Sequence, residues 1–312
     1  MSTKVEEGIK SVAIGIFANA FLAALKITTG ILGSSFALIA DGIESITDIP
    51  SSIIVFSGLK IAQKPADYDH PYGHGKAESI AAAVVSMLLV VAAFVIARGS
   101  LTQILHPEIN EPPKWFTLVT LVVVVAIKET LFRRIGAQGE EAKSSAMKTD
   151  AWHHRSDAIT SAVAFFGICI ALIGGHDFAS ADDWAAFAAS FIVAFNGIRM
   201  LRSAMGEIMD KQSPALIDSI REIAIRTDGV IDIEKCYVRK SGFQFLVDLH
   251  VIVDANASVQ EGHAISHRIK DNLLASDLQI THVMVHIEPG SPVDKPEPKT
   301  GWGSNQESAD KK

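Results

Sequence analysis

Of the chain's 312 residues, 48% are hydrophobic and 20% charged, and its mean hydropathy is positive. That balance suits a helical membrane protein with a soluble appendage better than a globular enzyme. A formal net charge of −7 argues against a nucleic-acid partner, which would need clustered Lys and Arg; two cysteines, Cys169 and Cys236, are too few for a disulfide framework.

Six stretches approach the roughly 20 apolar residues that one spanning helix requires. They are residues 10–32, 36–61, 78–104, 115–134, 151–174 and 182–206. The first follows MSTKVEEGIK. It is too long for the apolar part of a signal peptide and lacks a clear small-residue cleavage site, so it reads as a span. Positive charge gathers on one side. Lys4 and Lys10 precede span one, Lys64 and Lys76 lie in the 2–3 loop, and Arg133, Arg134, Lys143 and Lys148 in the 4–5 loop; Arg202 and Lys211 close span six. The other side offers little beyond Lys114, which predicts cytoplasmic termini.

After Lys211 the character changes. SPALIDSIREIAIRTDGV has helical periodicity, with Ser213 at the N-cap and Pro214 in the first turn. IDIEKCYVRKSG and FQFLVDLHVIVDA read as strands with KSG at the turn between them. SVQEGHAISHRIKDNLLAS is a second helix and QITHVMVHIEPG a third strand. The expected order is αββαβ, a small α+β domain. The predicted organisation is a cytoplasmic N-terminus (1–9), a six-helix transmembrane domain (10–211), a cytoplasmic αββαβ domain (212–290) and a disordered tail (291–312), the last from its Pro, Ser, Gly and charge without periodicity.

Spans two and five are the least apolar, and both hold acidic residues. In ADGIESITD, Glu44 and Asp48 stand four residues apart, with Asp41 on the same side; in AWHHRSD, His153 and Asp157 repeat that spacing. Each pair lies on one helix face. Ionisable groups at membrane depth are expensive unless they face a wet cavity or bind something. Glu44, Asp48, His153 and Asp157 offer one imidazole and three carboxylates, a four-ligand set for a divalent first-row metal with zinc as the default. The plainer alternative is a set of buried charges paired with one another or with Lys26, Lys128 and Arg155.

These motifs, in this order, resemble the cation diffusion facilitator family of divalent-metal/proton antiporters. The likeness covers about residues 10–290 and rests on ESITD, HHRSD and KPADYDHPYGHGKAE (64–78) together. It implies six spans with both termini inside, followed by a ferredoxin- or metallochaperone-like αββαβ domain that regulates and dimerises. It also implies a transport site at Glu44, Asp48, His153 and Asp157, with Asp41 as a possible supporting residue. One departure is Glu44, where the family usually has Asp or His; its longer arm bears on geometry and metal preference. The 4–5 loop lacks the histidine-rich insertion of many eukaryotic vesicular members, which favours a bacterial inner-membrane exporter.

The resemblance further puts Asp67, His70 and His74 at a small metal site in the 2–3 loop. Two histidines and a carboxylate within eight residues can wrap an ion; a polar loop whose histidines cap helices or bridge a dimer is the alternative. In the last strand, alternation sets His282, Met284, His286 and Glu288 on one face, and in the middle strand Asp248 and His250 share the polar face. By resemblance, His250, His263, His286 and Glu288 bind regulatory metal between subunits, and Glu234 stands where some relatives have another histidine. A merely solvated strand face is the alternative.

The expected function is a homodimeric, proton-coupled exporter of divalent metal, zinc first, with iron(II), manganese, cobalt and cadmium also open. Metal and protons would compete for the same ligands, and an ordinary imidazole titrates at about pH 6.5. The rival readings are a non-transporting metal sensor or assembly factor on the same fold, and a membrane metalloenzyme. The latter would need Glu-x-x-His pairs or a His-Glu-x-x-His helix in the spans, and the sequence has neither there.

Overall fold

The computed structural model describes residues 19–106, 112–141 and 145–290. The expected N-terminal segment 1–9 and tail 291–312 lie outside them. The chain divides into two compact units: Met1–Lys60 with Glu78–Met205, and Ile61–Ala77 with Gly206–Lys312.

Among the described residues the first unit is all helical: α1 (Asn19–Leu32), α2 (Phe36–Ala62), α3 (Lys76–Leu105), α4 (Phe116–Glu141), α5 (Ser145–Gly174) and α6 (Ala181–Ile208). Helices α2, α3 and α6, and the segment Asp157–Gly174 of α5, are long and apolar enough to cross a membrane. Helix α4 does not meet that standard over 18 residues, because Lys128, Glu129, Arg133 and Arg134 crowd its second half. Polarity is inverted relative to a soluble core. Phe94, Phe166, Phe191 and Phe195 are exposed, whereas Lys26, Lys128, Asp41, Asp48 and Asp157 are buried. An apolar exterior around interior charge is what a lipid environment selects.

Small residues set the helix spacing, as they commonly do where no hydrophobic force separates helix from lipid. A Cβ on Gly167 of α5 would collide with Ala185 of α6, and one on Gly197 of α6 would press on Ser86 and Leu89 of α3. The start of α2 is held from a distance. Ser35 Oγ accepts from Leu38 N at 3.2 Å, while Asp182 at the head of α6 accepts from Phe36 N at 2.6 Å, Ala37 N at 3.2 Å and Ser35 Oγ at 2.9 Å. These bonds satisfy first-turn N–H groups that a helix cannot satisfy itself. Downstream, Pro50 sits inside α2, two residues beyond Asp48, and removes one intrahelical hydrogen bond.

The second unit has the expected order: α7 (Pro214–Ile225), β1 (Asp232–Ser241), β2 (Gln244–Val253), α8 (Val259–Leu274) and β3 (Ile280–Pro289). The sheet order is β1-β2-β3, with β1 antiparallel and β3 parallel to β2. Its core joins Ile220 and Ala224 of α7 and Ile269 and Leu273 of α8 to Ile233, Val247, Leu249, Val251 and Val283. Ser213 is the N-cap residue of α7 with Pro214 after it, but its side chain makes no cap bond; α8 has a full capping box between Ser258 and Glu261. The β1–β2 turn differs from the KSG expectation. Lys240 and Ser241 are still strand, and the turn is Gly242–Phe243, with Gly242 at φ +65. A two-residue hairpin turn needs that left-handed backbone, which glycine supplies. Cys236 faces the core, where burial pushes its thiol up to about 11; it is a packing residue.

The loop between α2 and α3 belongs to this second unit. Gly75 lies flush on Ser241 at the end of β1, where any Cβ would collide. Lys76 Nζ reaches Asp210 Oδ1 at 2.5 Å and the Glu207 carbonyl at 2.6 Å. Tyr72 stacks edge-on against His282 of β3, and the Arg239 guanidinium lies over its ring.

Candidate metal sites

In the helical unit, spacing along α2 puts Asp41, Glu44, Ser45 and Asp48 on one stripe. Asp41 and Asp48 are each 6% exposed, Asp157 of α5 is 5% exposed, and Glu44 is half-buried. Glu44 lies within electrostatic reach of Asp157, Asp41, Asp48 and Lys26, so the two helices bring their carboxylates together. His153 is on α5 one turn before Asp157, and its side chain lies outside the described residues.

Two lysines complete this cluster. Lys26 of α1, fully buried, pairs with Asp41 Oδ2 at 2.8 Å and donates to Ser45 Oγ at 3.0 Å. Ser161 of α5 donates to the same Asp41 carboxylate, at 2.9 Å from Oδ1 and 2.8 Å from Oδ2. Lys128 of α4 pairs with Asp157 Oδ2 at 2.7 Å. The ion pairs named as the plain alternative thus form at Asp41 and Asp157. Arg155 is exposed and lies over the Phe132 ring.

Among the described residues, two groups of His and carboxylate side chains hold their ligand atoms within 4.8 Å of one another: Asp67–His70–His74 and His250–His286–Glu288. In the first, the loop folds back on itself. Asp67 Oδ1 accepts from His70 N at 2.7 Å and lies 3.2 Å from His70 Nδ1, and its Oδ2 lies 3.4 Å from His74 Nε2. The His70 N–H, then the His70 ring and nearby His74, hold the Asp67 carboxyl below the usual carboxylate range. His74 Nδ1 meets the Pro65 carbonyl at 3.2 Å, a bond that requires the proton on Nδ1 and leaves Nε2 able to ligate. Gly73, at φ +82, makes the turn.

The second group follows from register. His250 of β2 is paired with His286 of β3, and Glu288 lies two residues further along the same face. Glu288 Oε1 accepts from His250 Nδ1 at 2.6 Å and lies 3.7 Å from His286 Nε2; the two imidazole rings are 5.0 Å apart. Again the carboxylate engages Nδ1 and leaves His250 Nε2 available. A hydrogen bond shared with Glu234, followed by the His250 bond, holds Glu288 below the usual carboxylate range. Glu234 therefore belongs to this cluster. It sits at the bulge between Ile233 and Lys235, where simple strand alternation breaks down. His263 is not part of the cluster; it is exposed on α8, its ring 4.5 Å from that of His267.

A helical unit with charge held inside an apolar shell, joined to a sheet domain with metal-ligand groups, is the form of a membrane metal transporter. Residues 12–209 match the cation efflux transmembrane domain and residues 213–290 the cation efflux protein cytoplasmic domain, and the chain belongs to the cation efflux family. It is 31% identical to the manganese efflux system protein MneP of Bacillus subtilis over 93% of this chain and 99% of that one. It is 30% identical to metal tolerance protein 2 of Oryza sativa subsp. japonica (90% and 78%) and 31% identical to the magnetosome protein MamB of Magnetospirillum gryphiswaldense (78% and 82%). A solved nickel form of the MamM CTD is similar at 22% identity and a TM-score of 0.25, covering 25% of this chain and all of that one. Members of the family export divalent metals. The chain is accordingly a multi-pass membrane transporter, not an enzyme.

Proposed function

We propose that the chain is a homodimeric antiporter of a bacterial inner membrane, with both termini in the cytoplasm, that exports divalent transition metal in exchange for protons. The observation that carries this reading is a charge imbalance. Among the described residues of the helical core, Asp41, Glu44, Asp48 and Asp157 gather with two ammonium groups, Lys26 and Lys128. One divalent cation balances that formal excess, and so do two protons, so cargo and protons compete for one set of groups.

Glu44, Asp48, His153 and Asp157 are the cargo ligands in this reading, and Asp41 supports them through Lys26 and Ser161. Metal loads from the cytoplasm onto deprotonated ligands; protonation from the far side weakens the set and releases the ion. One imidazole and three carboxylate oxygens make zinc the first cargo to test. Manganese or iron(II) is the second reading, favoured because three of the four ligands are hard oxygens, and the similar MneP is named for manganese efflux. In the second unit, His250, His286 and Glu288 would hold a regulatory divalent ion, with His263 added in the dimer. Such an ion acts only to the extent that it prefers one dimer state over the other. Asp67, His70 and His74 would hold a further ion in the loop.

The test is flux in proteoliposomes across zinc, manganese, iron(II), cobalt and cadmium, with a pH dye trapped inside. Metal uptake accompanied by proton movement the other way is expected. Metal movement at verified flux with no pH response would make the protein a uniporter, and no flux for any metal would end the transport reading.

A further inference from the structure

Asp157 serves as a cargo ligand in the function proposed above, yet its carboxylate already has a cation. Lys128 Nζ sits 2.7 Å from Asp157 Oδ2, and the two side chains are only 1% and 7% exposed. Lys128 is also within electrostatic reach of Asp48 and Asp41, so its charge acts on both ligand-bearing helices. The other buried lysine is placed differently: Lys26 is held by Asp41 and Ser45, neither of which is a proposed ligand.

We propose that Lys128 is a tethered stand-in for the cargo. Its ammonium holds Asp157 while the site is empty, gives way when the divalent ion arrives, and returns as the ion leaves. The idea rests on the assignment of Asp157 as a ligand.

Three physical points support it. A buried carboxylate stripped of its partner is strongly disfavoured, so an internal cation that returns to Asp157 lowers the cost of releasing the ion. An ammonium and a divalent ion on one carboxylate repel each other, so the two occupancies tend to alternate. The lysine stem is flexible and carries a compact charge with three rotatable donors, which lets it leave Asp157 for a neighbouring carboxylate. Of the two further carboxylates within its electrostatic reach, Asp48 is itself a proposed ligand, which leaves Asp41 as the group to draw the ammonium away. The ammonium stays charged throughout; it changes partner, not protonation. Lys128 is thus a determinant of cargo affinity and release, with the sign opposite to that of a residue that merely orients a ligand.

The experiment compares the wild type, Lys128→Gln and Lys128→Arg as full chains. Zinc and manganese binding is measured at equilibrium in detergent, and flux in proteoliposomes. Lys128→Gln, with the competitor gone, should bind metal about tenfold more tightly, with a lower half-saturating concentration and a lower maximum flux. Lys128→Arg, whose planar fork grips a carboxylate at two points, should bind about tenfold more weakly. Unchanged or weakened affinity in a monodisperse Lys128→Gln protein would overturn the idea and leave Lys128 as a residue that positions Asp157. If Lys128→Gln does not fold, the arginine variant decides alone, and unchanged affinity there overturns it. Asp157→Ala is run in parallel. Wild-type flux in that variant would remove the ligand assignment itself, whereas lost flux together with a failed lysine result would remove only the stand-in role.

Discussion

The two regions that gather carboxylates treat them in opposite ways. In the helical unit, Asp41, Asp48 and Asp157 are buried and two lysines are buried with them, so the protein carries its own counter-cations. In the sheet domain, Glu288 and His250 are each roughly a quarter exposed, His286 is largely exposed, and the partners of Glu288 are imidazoles and Glu234. Solvent reaches the sheet cluster, whereas the buried carboxylates of the helical one are met by the buried lysines. In the function proposed above, the helical cluster would serve an ion that must leave, and the sheet cluster an ion in equilibrium with solvent.

The contrast breaks most visibly at the helical ligands. Asp48→Ala or Asp157→Ala should lower metal flux by about a hundredfold or more while leaving a monodisperse protein, since each removes one of the four ligands proposed above. Flux near wild type in either purified variant would dissolve the distinction. Next in size is Lys26→Met, which strands Asp41 without its cation. It should cost about 3–5 kcal/mol of stability, read as an earlier thermal unfolding transition in detergent. Adding Asp41→Leu should recover part of that loss, because replacing a buried pair with apolar groups is far less damaging than breaking it.

Smaller effects sharpen the comparison. Glu44→Asp keeps the charge and shortens the arm; transport should persist with about a tenfold change in the ratio of zinc to manganese flux, and an unchanged ratio would make Glu44 irrelevant to selectivity. His250→Ala with His286→Ala should raise the metal concentration needed for half-activation by about tenfold and leave maximum flux intact. The smallest effect concerns protons. Glu288 is held below its reference value of 4.5, so its pairing with His250 is complete above that value and is lost as pH falls through the lower, folded value. Carboxyl-carbon NMR of the cytoplasmic domain should show this titration, and His250→Ala should move it upward.

Much of this contrast was legible in the sequence. The paired spacings of Glu44 with Asp48 and His153 with Asp157 marked two helix faces; strand alternation put His286 with Glu288 on one face and His250 on the polar face of the middle strand, and the resemblance grouped them, with His263, as one site. Lys26 and Lys128 stood out as charges in apolar stretches, but periodicity does not say which acid each one meets. Glu234 was placed by resemblance alone, as the position where some relatives have another histidine, because a β-bulge shifts the side-chain order there. The seating of Tyr72 between Arg239 and His282 was hidden for a different reason: long-range contacts of a loop leave no periodic trace.

The cap on α2 has a consequence for how the molecule is made. The Phe36 and Ala37 N–H groups find their acceptor in Asp182, about 146 residues further along the chain. During synthesis, α2 is therefore complete in sequence long before the carboxylate that finishes its first turn has left the ribosome. In the folded chain, the first turn of the helix that carries Glu44 and Asp48 is finished by a residue of α6. Truncation before residue 182 should then yield a protein whose second helix inserts but does not settle, and an Asp182→Ala chain should be cleared by membrane quality control more readily than its full set of spans would suggest.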